Sequence, residues 1–120
     1  MDKVDVNNLK NALLIVLDVP NVIRIDGIEG LNYKSLIKID HHPEEDIKPL
    51  INWTDTLKSS ASQMVAELIL NTKLKLNKKV AENLFLGIVS DSERFSLTNT
   101  TYETFDTVMK LIKESNMEFI

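Results

Sequence analysis

An unbroken aliphatic run, Ala12-Leu13-Leu14-Ile15-Val16-Leu17, breaks off at Asp18. A short continuous apolar run predicts a strand buried on both faces, the signature of a parallel sheet. The pattern returns at Leu36-Ile37-Lys38-Ile39, so residues 35–40 predict a second strand, again closed by an aspartate, Asp40. Residues 21–33 between them contain Gly27 and Gly30 and read as a connection, with room for a short helix. Beyond Pro43, Leu50-Ile51-Asn52-Trp53 predicts a third, shorter strand.

From there the period turns helical. Ser60-Ala61-Ser62-Gln63 matches a capping box, and Met64, Val65, Leu68 and Ile69 recur at helical spacing, predicting a helix over about residues 60–71. Asn77 can cap a second helix that carries Val80, Leu84 and Ile88 and runs up to Asp91. Thr100-Thr101-Tyr102-Glu103 is a second capping-box match, opening a third helix with Phe105, Val108, Met109 and Ile112 on one face. Strands giving way to helices place the chain in the α/β class, with a mostly parallel sheet flanked by helices. In open sheets of that kind ligands bind beyond the carboxyl ends of the strands. Asp18 and Asp40 fall there.

The bulk numbers narrow the function classes. At 120 residues the chain is one domain or a piece of one. The net charge of −4 speaks against a surface that grips long nucleic acid through many phosphates. Cysteine is absent, which removes disulfides, zinc-thiolate sites and thiol nucleophiles together and fits a reducing compartment. The polar N-terminus lacks the apolar core of a signal peptide, and no stretch approaches the ~18 apolar residues of a membrane span. A soluble, cytoplasmic protein with no membrane partner is expected.

Candidate chemistry concentrates at Asp40-His41-His42, which holds both histidines of the chain. A carboxylate and two imidazoles offer the oxygen and nitrogen ligands that divalent transition metals accept. Asp18, His41 and Asp91 each lie at or just after the end of an apolar element, so a doubly wound sheet could bring them to one rim. Crowded carboxylates repel one another unless a cation neutralises them, and a divalent metal would do so. Asp40 is the neighbouring acceptor that could fix an imidazole tautomer. The plainer readings stay open: an aspartate after a strand is ordinarily a turn or cap residue. Arg24 and Arg94 are candidates for binding phosphate, with surface solubility as an equal account. The acidic run Glu44, Glu45, Asp46 reads as a solvated loop. Trp53, Phe95 and Phe105 read as core rather than as a stacking platform.

Taken together, Ile39-Asp40-His41-His42-Pro43, Ile15-Val16-Leu17-Asp18 upstream, and Gly87-Ile88-Val89-Ser90-Asp91-Ser92-Glu93-Arg94-Phe95 with Asn99-Thr100-Thr101 downstream resemble the DHH phosphoesterase family. More narrowly they resemble its branch of nanoRNases and 3′-phosphoadenosine 5′-phosphate phosphatases, relatives of the RecJ exonucleases. Trp53-Thr54-Asp55-Thr56 and Ser59-Ser60-Ala61-Ser62-Gln63-Met64 are similar to that branch as well. The resemblance implies a DHH-type catalytic domain and two manganese ions, with magnesium as the substitute. Asp18 would bridge both ions, and His41 and Asp91 would complete the shell of one. His42 would face the substrate phosphate, and Asp40 would support the site from close by. The implied reaction is hydrolysis of short oligoribonucleotides, 3′-phosphoadenosine 5′-phosphate, or both, by metal-activated water.

Three departures qualify this. The family's first motif, of the type His-x-x-x-Asp-x-Asp, is absent ahead of Asp18, and so is its glycine-rich C-terminal substrate-binding domain. Glu93 stands where relatives often carry glycine. Residues 1–120 are therefore expected to be a partial catalytic domain of a larger enzyme, with one partial metal site and weak or no activity alone. Two alternatives are a non-catalytic metal-binding or dimerisation module that keeps a DHH-like shell, and a cyclic-dinucleotide phosphodiesterase of the same superfamily. The expected partners are short RNA or a phosphorylated nucleotide, and a homodimer is kept open.

Overall fold

The computed structural model describes residues 6–117, which fall into two compact units divided between Asp55 and Thr56. The first unit carries the strands β1 (Leu13–Leu17), β2 (Ser35–Asp40) and β3 (Ile51–Thr54). The second carries the helices α1 (Ala61–Leu70), α2 (Lys78–Asp91) and α3 (Tyr102–Ser115). A 3-10 turn, Val6–Asn11, precedes β1, and another, Val22–Arg24, interrupts the connection to β2.

The strands form one parallel sheet in the order β1-β2-β3. Leu13 pairs with Ser35 and Leu17 with Ile39, while Ile37 pairs with Ile51 and Asp40 with Thr54. Because side chains alternate between faces, this register puts Leu14, Val16, Leu36, Lys38 and Asp40 on one face. Val16 and Leu36 are buried there with Ile47, and Val19, Val22, Ile25 and Tyr33 from the connections pack against them.

The other face corrects an expectation. The run preceding Asp18 is not buried on both sides: Leu13, Ile15 and Leu17 are all exposed, Ile15 at 54%. An unbroken apolar run reads the same at the centre of a sheet as at its margin, and β1 is an edge strand. The acidic run is also more than a solvated loop. Glu45 accepts from the Asn21 amide at 2.8 Å, Asp46 from the Val22 backbone N–H at 2.8 Å, and Glu44 from the Asn52 amide at 2.5 Å. The strand connections are thereby tied together.

In the second unit the caps follow sequence chemistry. The Ser60 hydroxyl accepts from the Gln63 N–H at 3.0 Å and Asn77 Oδ1 from the Val80 N–H at 2.9 Å, each worth about 1 kcal/mol. The third cap sits one residue later than the sequence suggests: the Thr101 N–H donates to the Thr104 hydroxyl at 3.1 Å, so Thr104 takes the place expected of Glu103. Ala66, Ala81, Ile88, Val108, Leu111 and Met117 form the core of this unit. Gly87 is the close-approach point of α2 on α1, where a Cβ would fall 2.0 Å from Ser62 Oγ.

The buried face of α3 differs from the predicted one. It consists of Thr104, Thr107, Val108 and Leu111, while Phe105 and Met109 are exposed, Met109 at 67%. Buried Gln63 is the cause. Its Oε1 accepts from the Ser59 N–H at 3.0 Å, the Ser59 hydroxyl at 2.7 Å and the Thr104 hydroxyl at 3.0 Å, and its Nε2 donates to Glu67 at 2.8 Å. A buried amide needs its partners, so α3 turns its threonines inward. Trp53 and Phe95 are part-buried, and Phe95 packs against the core of its unit and against Phe105, ring centres 5.1 Å apart.

Candidate metal centre

The end of β1 and the end of β2 meet in register, since Leu17 pairs with Ile39 and the next N–H, that of Asp18, donates to the Ile39 carbonyl at 3.0 Å. Asp18 then turns sharply with φ 62, the left-handed region that aspartate enters more readily than most side chains but still at a cost. Such strain marks functional rims more often than passive loops.

His41 follows the last residue of β2, and its Nε2 lies 3.3 Å from Asp18 Oδ1. His42 Nδ1 lies 3.7 Å from the same oxygen and 2.7 Å from Asp40 Oδ1. The two imidazole rings are 4.5 Å apart and inclined at 59°. Asp18, His41 and His42 present ligand atoms that all lie within 4.8 Å of one another, and they form the metal-ligand cluster found among the described residues. One carboxylate oxygen with two imidazole nitrogens is a donor set that manganese or another divalent transition ion accepts. The residues present therefore fit a metal, though three donors leave a shell to be completed.

Asp40 separates the roles of the two histidines. Its side chain is 0% exposed, and its Oδ1 accepts both from His42 Nδ1 and from the His42 backbone N–H at 3.2 Å. Its other oxygen lies 3.1 Å from the buried ammonium of Lys38. Burial is the largest single influence and works against the charge. The hydrogen bonds from the His42 ring and backbone, together with the Lys38 ammonium, outweigh it and hold the Asp40 carboxyl below its ordinary value of 3.8. An ionised Asp40 can only accept, so His42 Nδ1 carries the proton and is engaged, leaving Nε2 as the ring atom open to a ligand. His41 has its Nε2 beside Asp18 and is the better placed of the two to bind a metal with it.

The remaining sequence candidates are Arg24, Asp91 and Arg94. Arg24 is exposed at the end of the 3-10 turn that follows β1. Asp91 and Arg94 belong to the second unit. Asp91 is exposed at the last residue of α2, where the helix dipole disfavours an acid. Just past it, Glu93, Arg94 and Phe95 all have positive φ, at 47, 59 and 67. Buried Ser92 braces that turn: its hydroxyl donates to the Ile88 carbonyl at 2.6 Å and accepts from the Phe95 N–H at 3.0 Å. Sequence reasoning passed over Ser92 and Lys38. A lysine inside an apolar strand two residues before an aspartate was the available signal for the second.

Comparison with known proteins gives the arrangement its relatives. Residues 2–88 match the pattern described as "DHH family, N-terminal domain". The chain is 42% identical over 113 residues to a protein of Streptococcus mutans named probable bifunctional oligoribonuclease and PAP phosphatase NrnA, covering 94% of this chain and 36% of that protein. It is 43% identical over 116 residues to the bifunctional oligoribonuclease and PAP phosphatase NrnA of Bacillus subtilis, covering 94% of this chain and 37% of that one. The chain thus spans about a third of the length of these curated relatives. Among solved structures, an exopolyphosphatase-related protein of Bacteroides fragilis superposes with a TM-score of 0.74 at 24% identity, over 85% of this chain and 32% of that one, and shares the fold. No helix of the described residues is long and apolar enough to cross a membrane.

Proposed function

Since this chain belongs to the DHH family, we propose that it carries the metal-holding core of a phosphoesterase that hydrolyses short oligoribonucleotides, 3′-phosphoadenosine 5′-phosphate, or both. The observation that carries this reading is the Asp18–His41–His42 cluster at the adjoining ends of two parallel strands. The relatives named as oligoribonuclease and PAP phosphatase support the substrate class. In this proposal Asp18 and His41 hold a manganese ion, and the DHH domain is a partial one within a larger enzyme.

A divalent ion held there would supply Lewis acidity towards a phosphoryl oxygen and lower the pKa of water. The chain's own residues do the rest. Asp18 brings negative charge to a turn whose backbone is tied to β2, so the point from which its carboxylate projects is set before any ligand arrives. His41, 11% exposed, offers a nitrogen from a largely closed position. Asp40 holds His42 by the ring and the backbone and orients Nε2 towards the substrate phosphate. Arg24 and Arg94 are assigned to phosphate binding. A short anionic substrate suits a chain of net charge −4 better than a long duplex does.

The test is hydrolysis of a diribonucleotide and of 3′-phosphoadenosine 5′-phosphate with manganese present, by these 120 residues and by a protein of the relatives' full length. Strong activity of the longer protein, lost in His41→Ala, with little in the 120 residues, is the expected result. Equal activity of the two would contradict the partial-domain reading, and no activity of the longer protein on either substrate would contradict the assigned reaction.

A further inference from the structure

Lys38 occupies a position where β2 would be more cheaply filled by an aliphatic residue. Its side chain is 1% exposed, on the same sheet face as buried Leu36, and lysines are almost never buried so completely without a partner. Desolvating an ammonium and a carboxylate costs several kcal/mol for each ion, which their attraction at best offsets. Stability alone does not explain the pair. Its placement does. Lys38 and Asp40 are two residues apart, so alternation puts both side chains on one face, and the ammonium meets Asp40 Oδ2 at 3.1 Å. That oxygen is buried without an aligned hydrogen-bond donor, while Oδ1 on the other side takes the His42 ring and backbone N–H groups.

We propose that Lys38 is a positioning residue: it fixes the rotation of the Asp40 carboxylate so that Oδ1 holds His42 as the Nδ1–H tautomer and leaves Nε2 directed at the substrate phosphate. The direction of Nε2 rests on the reading given above, but the Lys38–Asp40–His42 relay is a property of the chain by itself and can be tested without metal or substrate. A lysine serving only to neutralise Asp40 would leave a second way of holding the carboxylate. A lysine that positions it would not, because methionine in its place lets the carboxylate rotate and swing towards solvent.

The experiment is ¹⁵N spectroscopy of the imidazole nitrogens of the metal-free chain at about pH 8, above the ordinary titration range of histidine, for wild type, Lys38→Met and Lys38→Arg. The expected result is a dominant Nδ1–H signature for His42 in wild type, its loss in Lys38→Met, its return in Lys38→Arg, and an unchanged His41 in all three. An unchanged His42 signature in a folded Lys38→Met chain would overturn the proposal. Should Lys38→Met fail to fold, the wild-type ammonium decides: slow exchange of the Lys38 Nζ protons with water supports the relay, and exchange as fast as that of a surface lysine overturns it. Failure of the metal-site reading would look different, since manganese would then leave the His41 signals sharp while the Nδ1–H signature of His42 still depended on Lys38.

Discussion

The Asp18 backbone N–H donates to the Ile39 carbonyl at 3.0 Å while Asp18 itself turns into the left-handed region. One residue is thus both the last rung of the β1–β2 ladder and the start of a strained turn that carries the carboxylate out beside His41. Strain kept at this proposed ligand position would be a trade of stability for geometry. Asp18→Gly should therefore stabilise the chain by about 1 kcal/mol in urea unfolding, since glycine enters this region without penalty, while abolishing manganese binding. A loss of stability in this variant would show that the turn is not strained.

A second strained position gives an independent prediction. Glu93 has φ 47 in the turn after α2, where a glycine would be at ease. Glu93→Gly should raise the unfolding free energy by about 1 kcal/mol. Because the Ser92 contacts that brace the turn involve the Ile88 carbonyl and the Phe95 N–H, not the Glu93 side chain, they should survive the change. The reading of this turn as strained would be wrong if the midpoint fell.

The pH dependence of stability follows from Asp40. Its carboxyl titrates below the ordinary value of 3.8 in the folded chain, so its contribution is fully present above that value and disappears as pH falls through the folded one. Wild type should lose more stability than Asp40→Asn on acidification from about pH 5 to pH 2, so the gap between the two narrows as the pH drops. Denaturant midpoints at several pH values measure it. A gap that stayed constant or widened would mean that Asp40 is not held as the anion by His42 and Lys38.

What could be read from the sequence was local chemistry. Strand ends at Asp18 and Asp40 followed from apolar runs that stop at a charge, and the caps Ser60 and Asn77 followed from side chains suited to orphan N–H groups. What could not be read depended on neighbours distant in the chain. Leu13, Ile15 and Leu17 look buried because aliphatic residues usually are, yet they lie on β1, an edge strand among the described residues, and are exposed there. Thr104 and Thr107 look like surface residues of α3, yet Gln63 and Glu67, some 40 residues earlier, give their hydroxyls partners at 3.0 and 3.3 Å and draw them inward. In the candidate site, the juxtaposition of Asp18 with the histidines required only the parallel register of two short strands. Lys38 required knowing that a charge could be buried, which composition and period both argue against.

The central claim is that Asp18 and His41 hold a divalent metal while His42, engaged by Asp40, stands ready for phosphate. Titrating manganese into the 120-residue chain and following both imidazoles by NMR tests it most directly. Paramagnetic broadening should appear at His41 at the lowest manganese concentrations, with weaker broadening at His42, and Asp18→Asn should move it to much higher concentrations. Sharp His41 signals throughout the titration, or broadening indifferent to Asp18, would contradict it.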